Sequence, residues 1–414
     1  MTNPPATKPH AALMAEAARC AKCGKCRSVC PIFIETGDES AVARGRITLA
    51  EAVMSGQLEA TGKVKDYMWM CLKCLRCTSI CPSGVEYEKI LQGMRDEIAR
   101  RRGVPILARL VFRHILPNRW LFDRFIRMAQ WSQRVLPAHR EGTLRHLPLA
   151  FMGHQSVPAL APQSALELLA HHKPKGGRPQ VAFFLGCAIN YVYPQIAQAV
   201  IEVYDRAGYD VVVPPGQVCC GTPVMCFGAR ASAQRLARMN VAAFADCDVI
   251  VNACASGGRT LKHDYEDLLG PDGKAFGARV FDAAEFLAKE GKLDALGRGD
   301  DSLAVTYHDP CHLNWGQGIT DAPRQLIRTA AKLVEMNEPE RCCGGAGTFS
   351  ILHYDYACKI GAHKVADIKG TGADVVATGC PGCMIQIADR LDAEGVSTRV
   401  KHTFEIAAAA KRDA

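Results

Sequence analysis

Short apolar runs alternate with amphipathic stretches over residues 179–414, and the alternation occurs twice. The runs VAFFLGC and DVIVNAC in the first half correspond to LAVTYHDPC and DVVATGC in the second half. Stretches with helical periodicity lie between such runs, at Pro194–Ala207, Ala231–Ala245 and Tyr356–Ile368. Strands that alternate with helices are typical of a parallel α/β sheet. The sequence therefore predicts a duplicated α/β unit, with copy 1 over residues 179–300 and copy 2 over residues 301–414.

Cysteines repeat in register with these elements. Equivalent cysteines of the two copies are separated by 124, 123 and 126 residues, which indicates duplication. Gly257 stands where copy 1 would carry its fifth cysteine, and Cys226 could substitute for it. Thiolates that converge at the carboxyl ends of parallel strands can hold a metal. The predicted metal ligands are Cys311, Cys342, Cys343, Cys380 and Cys383 in copy 2, and Cys187, Cys219, Cys220 and Cys254 in copy 1. A copy 1 site without metal, retained for packing, stays open.

Two denser cysteine runs lie within residues 15–103, which we predict to form one domain. Each run has the spacing C-x2-C-x2-C-x3-C-P, the pattern of [4Fe–4S] ferredoxins. In two-cluster ferredoxins the fourth cysteine of each run binds the other cluster. Structural zinc also uses CxxC pairs, but it has no use for the third cysteine and the fourth before proline. The predicted ligand sets are Cys20, Cys23, Cys26 and Cys81 for cluster 1, and Cys71, Cys74, Cys77 and Cys30 for cluster 2.

Several charged residues lie near these cysteines. Arg44 and Arg46 fall between the two ferredoxin runs, where they could raise the cluster potentials or simply form a solvated helix face. His308 and His312 flank Cys311, where they could orient a ligand or be plain loop residues. The glycine-rich segments CCGGAG and ASGGR match neither a dinucleotide-binding nor a P-loop pattern.

The segment 104–178 lacks cysteine and is predicted to be a helical linker rich in arginine and tryptophan. Apolar and basic residues interleave here as on amphipathic helices, which Pro117 interrupts. Such helices could contact a membrane or a partner, or they could brace two domains. The segment carries Arg109, Arg113, Arg119, Arg124, Arg127 and Arg134 among Trp120, Phe122, Phe125 and Trp131.

Composition narrows the class of protein. Hydrophobic residues make up 48% and charged residues 22% of the 414, which is ordinary for a globular protein. The net charge of +8 is too diffuse to indicate nucleic-acid binding. No apolar stretch suggests a secretory signal or a membrane span, so we expect a cytoplasmic protein, with peripheral contact at the inner face of the cytoplasmic membrane as an option. Reduced cytosolic thiols favour metal binding by the 20 cysteines.

The cysteine pattern of copy 2 resembles the cysteine-rich CCG domain of heterodisulfide reductase, glycolate oxidase and anaerobic glycerol-3-phosphate dehydrogenase subunits. With the double ferredoxin run and the stretches ARGRI, CLKCLRCTSICPSGVEY and CCGGAGTFS, the chain resembles the iron–sulfur subunit of glycolate oxidase and its lactate-oxidising relatives. The resemblance implies an α-helical two-cluster ferredoxin domain of the bacterial type followed by two duplicated α/β cysteine-rich domains. It also implies two [4Fe–4S] clusters, with a further cluster or zinc in the CCG domains.

This resemblance also implies the activity and the partners. An FAD-containing subunit would oxidise glycolate or another 2-hydroxy acid, and this chain would pass the electrons to a quinone or another carrier. The chain would then be the electron-transfer subunit of an oxidoreductase, with no catalytic residue for substrate oxidation on it. Two alternatives remain: a heterodisulfide-reductase-like subunit that cleaves a disulfide at the Cys311–Cys383 site, and a docking module that contains zinc.

Overall fold

The computed structural model describes residues 8–133, 144–146, 156–293, 296–297 and 300–410. Helices alone form the first part of the described chain, as far as residue 133. They are α1 (Lys8–Ala18), α2 (Pro31–Thr36), α3 (Ala43–Met54), α4 (Gly62–Trp69), α5 (Arg76–Ser79), α6 (Tyr87–Arg102), α7 (Ile106–Leu110) and α8 (Arg119–Gln133), with 3-10 turns at Lys25–Val29 and Glu39–Ala41 and a π turn at Val111–Ile115. The helices of this segment are interrupted at Pro105, just before α7, and at Pro117, shortly before α8. Proline has no backbone N–H and clashes with the helical turn that precedes it.

The predicted linker also contains two short strands. They are β1 (Leu144–His146) and β2 (Ser156–Pro158), which pair antiparallel, and α9 (Ala165–Leu168) follows them. The linker is therefore not wholly helical. Arg134, named above, lies outside the described residues.

Copy 1 is a parallel α/β unit. Its strands are β3 (Gln180–Phe184), β4 (Asp210–Val212), β5 (Ile250–Asn252) and β6 (Val280–Asp282), in the order β4-β3-β5-β6, all parallel. Its helices are α10 (Gly186–Tyr191), α11 (Pro194–Arg206), α12 (Thr222–Cys226), α13 (Arg230–Ala243), α14 (Ala255–Arg259), α15 (Tyr265–Leu269), α16 (Pro271–Gly277) and α17 (Ala283–Lys289), with a π turn at Thr260–Asp264.

Copy 2 repeats this topology. Its strands are β7 (Asp300–His308), β8 (Ala331–Leu333), β9 (Val375–Thr378) and β10 (Arg399–His402), parallel in the order β8-β7-β9-β10. Its helices are α18 (Cys311–Gln317), α19 (Asp321–Arg328), α20 (Thr348–Leu352), α21 (Tyr354–Thr371), α22 (Pro381–Ala393) and α23 (Thr403–Ala408). The two parallel sheets predicted from the apolar runs are confirmed.

Apolar packing joins the parts of the chain. One cluster of buried side chains runs through both copies, from Phe183 in β3 to Phe404 in α23. A second contains Phe112 and Leu116 of the linker together with Phe184 of copy 1. One core spans both copies. The boundary predicted between residues 300 and 301 therefore separates the two sequence repeats but does not separate two cores. The predicted domain boundaries stay predictions.

The ferredoxin region packs against copy 2 through another apolar cluster. Ile32 and Leu72, beside the two cysteine runs, are buried with Phe349 and Ile360 of α20 and α21. Within the described residues, no helix has both the length and the apolar composition needed to cross a bilayer.

Candidate iron–sulfur and metal centres

The two ferredoxin runs fold into matching loops. Lys22 and Gly24 in the first loop have φ of 55° and 82°, and Lys73 and Leu75 in the second have φ of 53° and 66°. Left-handed backbone strains residues other than glycine, so three of these four positions are held by the surrounding fold. The turns bring backbone amides towards the thiols: Lys73 N donates to Cys71 Sγ at 3.4 Å.

Eight thiols of these loops are sorted around two neighbouring cavities. Cys77 borders both cavities. The fourth cysteine of each run crosses to the opposite cavity, which is the arrangement that the spacing predicts. One cavity is lined by Cys20, Cys23, Cys26 and Cys81, and the other by Cys30, Cys71, Cys74 and Cys77.

A buried cation lies at the second cavity. Arg46 is only 1% exposed, and its Nε donates to Tyr67 O at 2.7 Å. Arg46 Nη2 and Tyr87 Oη are both buried without a hydrogen-bond partner in the described part of the chain. Burial opposes the charge, yet Tyr87 and the thiols of Cys71 and Cys30 hold the pKa of Arg46 above its usual range. A thiol set with an unsatisfied guanidinium fits an anionic iron–sulfur cube.

Arg44 has a different environment from Arg46. Its Nε donates to Glu39 Oε2 at 2.8 Å, and its Nη1 donates to Lys22 O at 3.1 Å in the first ferredoxin loop. Arg44 is partly exposed, as a residue on a solvated helix face would be. Arg46 is buried, so the interpretation as a solvated helix face is wrong for Arg46.

In copy 2 the structure brings all five predicted metal ligands together. Neighbouring thiols at the carboxyl ends of β7 and β9 perturb one another's pKa in a series: Cys311 with Cys342, Cys342 with Cys343, Cys343 with Cys383, and Cys383 with Cys380. His308, the last residue of β7, is fully buried beside them.

The His308 imidazole has the features of a ligand or of a group that orients one. A ring nitrogen of His308 and the sulfur atoms of Cys343 and Cys383 lie within 4.8 Å of one another. Neither ring nitrogen has a hydrogen-bond partner among residues 8–133, 144–146, 156–293, 296–297 and 300–410. Soft thiolates with an imidazole fit zinc or iron.

In copy 1 the structure divides the four predicted ligands. The thiol of Cys219 contacts those of Cys187 and Cys220. Cys254 instead lies beside Cys380 of copy 2. Cys226, which could substitute for the missing fifth cysteine, is the last residue of α12. Cys220 Sγ lies 3.2 Å from Thr222 Oγ1, at the start of the same helix.

The second ferredoxin cavity adjoins the copy 2 centre. Burial, followed by the nearby thiol of Cys311, raises the pKa of Cys74. His312 bridges the same two regions, because its Nε2–H donates to Lys73 O at 2.8 Å. Burial lowers the pKa of His312, so the ring that makes this bond is neutral at pH 7. Arg76 adds an ion pair with Glu340 at 3.1 Å.

Comparison with known proteins agrees with this architecture. The 4Fe-4S dicluster domain family matches residues 16–85, and the cysteine-rich domain family CCG matches twice, at residues 181–262 and 305–388. These matches support iron–sulfur clusters as cofactors and confirm the duplication.

Curated relatives cover almost the whole chain. The "Probable glycolate oxidase iron-sulfur subunit" of Bacillus subtilis is 30% identical over 93% of this chain and 91% of its own length. The "Glycolate oxidase iron-sulfur subunit" of Escherichia coli is 27% identical over 94% and 92%. "Lactate utilization protein A" of Shouchella clausii is 28% identical over 55% of this chain and 97% of its own length. The chain belongs to the family of glycolate oxidase iron–sulfur subunits.

Proposed function

We propose that this chain conducts single electrons from a flavin-containing partner, through two [4Fe–4S] clusters, towards the copy 2 centre. The observation that carries this proposal is the contact between the loop of Cys74 and the loop of Cys311. Iron–sulfur cubes, when bound, take up and release one electron at a time. The two cavities share Cys77, and Lys73 of the second cavity accepts a hydrogen bond from His312 beside Cys311, so the three centres follow one another along the chain's fold.

The protein's own residues would hold and insulate this path. Four thiols hold each cube, with Cys30 and Cys81 crossing between the loops. Arg46 supplies positive charge beside the second cube, which favours its reduced, more negative state. The buried bond from His312 to Lys73 O fixes the distance between the second cube and copy 2, and the apolar packing of Leu72 and Phe349 excludes water there.

The partner would be an FAD-containing subunit that oxidises glycolate or a similar 2-hydroxy acid. The names of the relatives support this class of donor. Oxidation to the 2-oxo acid releases two electrons and two protons, and the flavin passes the electrons on singly. A quinone or another carrier would receive them.

The test is reduction of the anaerobically prepared complex by a 2-hydroxy acid. We expect iron and acid-labile sulfide in the chain, and electron-paramagnetic signals that appear when substrate is added to the complex. In Cys74→Ser the second cluster and electron flow to copy 2 should be lost. Cys358→Ser, in the partly buried middle of α21, is the control. Protein without iron and sulfide would overturn the proposal, and signals that shift on adding a disulfide substrate would favour a heterodisulfide reductase.

We also propose that the basic arm, residues 100–133, contacts an anionic membrane surface. Its inner face packs on copy 1, since Phe112 is buried and Tyr191 Oη donates to Asp123. The arm thus packs on copy 1, and a brace between two domains stays a prediction. Its outer face remains exposed: Ile106 and Leu107 are each 75% exposed, and Trp131 is 66% exposed.

Charge makes a lipid surface the occupant we propose for this face. Residues 100–133 contain eight arginines and one acidic residue, Asp123. Exposed apolar side chains among basic ones are the pattern of helices that lie in the interface of anionic bilayers. Each basic residue near such a surface contributes about 1 kcal/mol at low salt. With eight arginines and one aspartate, the arm is by itself nearly as positive as the whole chain, whose net charge is +8.

Vesicle binding tests the arm. We expect the protein to sediment with phosphatidylglycerol vesicles at low salt, to bind less at high salt, and to ignore phosphatidylcholine vesicles. Leu107→Ser should weaken binding about tenfold or more, because it removes one inserted leucine. Ile351→Ser, at an exposed apolar residue elsewhere, is the control. No binding to either vesicle would overturn the proposal, and loss of the flavin subunit in Leu107→Ser with vesicle binding intact would make the arm a protein interface instead.

A further inference from the structure

Cys254 belongs to copy 1 in the sequence repeat but lies at the seam between the copies. It follows β5, and Asn252 Oδ1 accepts a hydrogen bond from Cys254 N at 3.0 Å. The backbone beyond it continues into α14. This turn fixes the direction of the Cys254 side chain, which meets Cys380 of copy 2.

Backbone bonds fasten the seam on both sides of this thiol pair. Ala255 N donates to Gly379 O at 3.1 Å, directly next to the two cysteines. His402 Nε2–H donates to Ala253 O at 2.9 Å from the copy 2 side. Cys254 and Cys380 are therefore held together by the fold of both copies and not by a chance rotamer.

A hydroxyl group lies between the two thiols. Ser256 Oγ is 3.5 Å from Cys254 Sγ and 3.8 Å from Cys380 Sγ. Cys380 is in turn in contact with Cys383, so Cys254 extends the series of copy 2 thiols by one. The seam thus adds the partly buried Cys254 to the five copy 2 cysteines, of which Cys342, Cys343, Cys380 and Cys383 are buried, as is the His308 imidazole.

The missing cysteine of copy 1 agrees with this placement. A Cβ added at Gly257 would lie 3.5 Å from Cys254 Sγ and 3.6 Å from Asn252 Oδ1, in ordinary van der Waals contact. The position is thus directed towards Cys254 and the seam. A cysteine there could have kept Cys254 in a copy 1 pair of the CxxC kind, whereas glycine leaves Cys254 free to serve copy 2.

We propose that Cys254 is a thiolate ligand of the copy 2 metal centre, supplied across the seam by copy 1. Copy 1 then retains a separate set of three thiols, Cys187, Cys219 and Cys220. The copy 2 centre has six thiolates in reach, more than the four that one zinc ion or one cubane uses, so it suits a centre of more than one metal ion. This inference rests on the metal-bound copy 2 centre of the proposed function.

The test compares spectra and metal content of single variants of the whole anaerobic protein. Cys383→Ser identifies the signal of the copy 2 centre, and Cys187→Ser identifies any signal of copy 1. We expect Cys254→Ser to shift or remove the copy 2 signal and to leave the ferredoxin signals unchanged. The copy 2 metal should also be removed at a chelator concentration at least about tenfold lower, since even a residue behind a ligand alters affinity by that factor.

Cys247→Ser is the matched control, because Cys247 is a partly buried copy 1 cysteine before β5. Equal melting temperatures for the two variants would show that Cys254→Ser folds. A Cys254→Ser variant that alters only the Cys187-dependent signal, or no signal, would overturn the inference, as would a disulfide between Cys254 and Cys380. Metal of any kind confined to the ferredoxin region would overturn it while leaving two-cluster electron transfer intact, so the two failures are distinguishable.

Discussion

The two cysteine-rich copies share one strand order but not one environment. In each, the second strand lies at an edge, beside the first, followed by the third and the fourth. Copy 2 packs its cysteine loops against the second ferredoxin loop, where His312 Nε2–H donates to Lys73 O at 2.8 Å. Copy 1 packs against α6 and the basic arm, and Gln92 Nε2 of α6 donates to Met225 O at 2.9 Å.

This difference separates scaffold from chemistry. A parallel sheet fixes where the loops at the carboxyl ends of its strands lie, whatever the loops contain. Copy 2 has five cysteines and His308 at those ends, next to a ferredoxin loop. Copy 1 has lost one cysteine and turned another towards the seam. With Cys254 as the proposed ligand of copy 2, the copy 1 scaffold would support the centre of its twin.

The largest expected effect breaks the comparison at the first cysteine of each copy. Cys311→Ser should abolish the signal of the copy 2 centre and stop electron transfer beyond the ferredoxin clusters, because Cys311 is a proposed ligand of that centre and precedes His312, which donates to Lys73 O of the second ferredoxin loop. Cys187→Ser should leave acceptor reduction by the 2-hydroxy acid and flavin subunit unchanged, because Cys187 belongs with Cys219 in copy 1 and not to the proposed path. Equal losses of acceptor reduction in the two variants would show that copy 1 also carries electrons.

A smaller effect should follow from wedging copy 1 away from the ferredoxin region. Gly228 has φ of +69°, and an added Cβ would lie 2.2 Å from Arg95 O of α6. Gly228→Ala should therefore lower the free energy of unfolding by about 3 kcal/mol or more, because a backbone atom cannot move aside as a side chain can. Denaturant unfolding measures it.

Gly372→Ala is the control for this wedge. Gly372 has φ of +65°, but an added Cβ would have open space around it. Only the left-handed strain of about 1–2 kcal/mol is then expected. Similar losses in both variants would mean that the fit of copy 1 against α6 contributes little.

The sequence predicted the scaffold well because its signals are local. Buried parallel strands read as continuous apolar runs, which is why the segments before Cys254 and Cys380 were recognised as β5 and β9. The predicted helix Pro194–Ala207 matches α11 to within one residue. Cysteine spacing likewise defined the two ferredoxin loops, because three ligands of each cube come from one short turn and the fourth comes from the other run.

What the sequence could not supply is how distant loops meet. Arg44 and Arg46 are two residues apart in α3 and therefore on different faces, but only the packing of α3 shows which face meets the thiols. The contacts of Cys254 with Cys380 and of His312 with Lys73 join residues far apart in the chain. His308 could be singled out from the sequence because it flanks Cys311, whereas nothing singled out Tyr87.

The smallest expected effect sharpens the comparison at the interface that copy 2 alone makes. Two histidines bridge copy 2 to the ferredoxin region: His312, buried on Lys73 O at 2.8 Å, and His363, 44% exposed and 2.9 Å from Glu35. His312→Ala should cost about 1–3 kcal/mol in denaturant unfolding, because it leaves a buried carbonyl unsatisfied, and His312→Gln should recover part of it. His363→Ala should cost less than about 1 kcal/mol, since water replaces an exposed pair.

If the bond also fixes the spacing of the two centres, the copy 2 signal should be reduced more slowly in His312→Ala but at the normal rate in His363→Ala. Normal reduction in both would leave His312 a structural contact only.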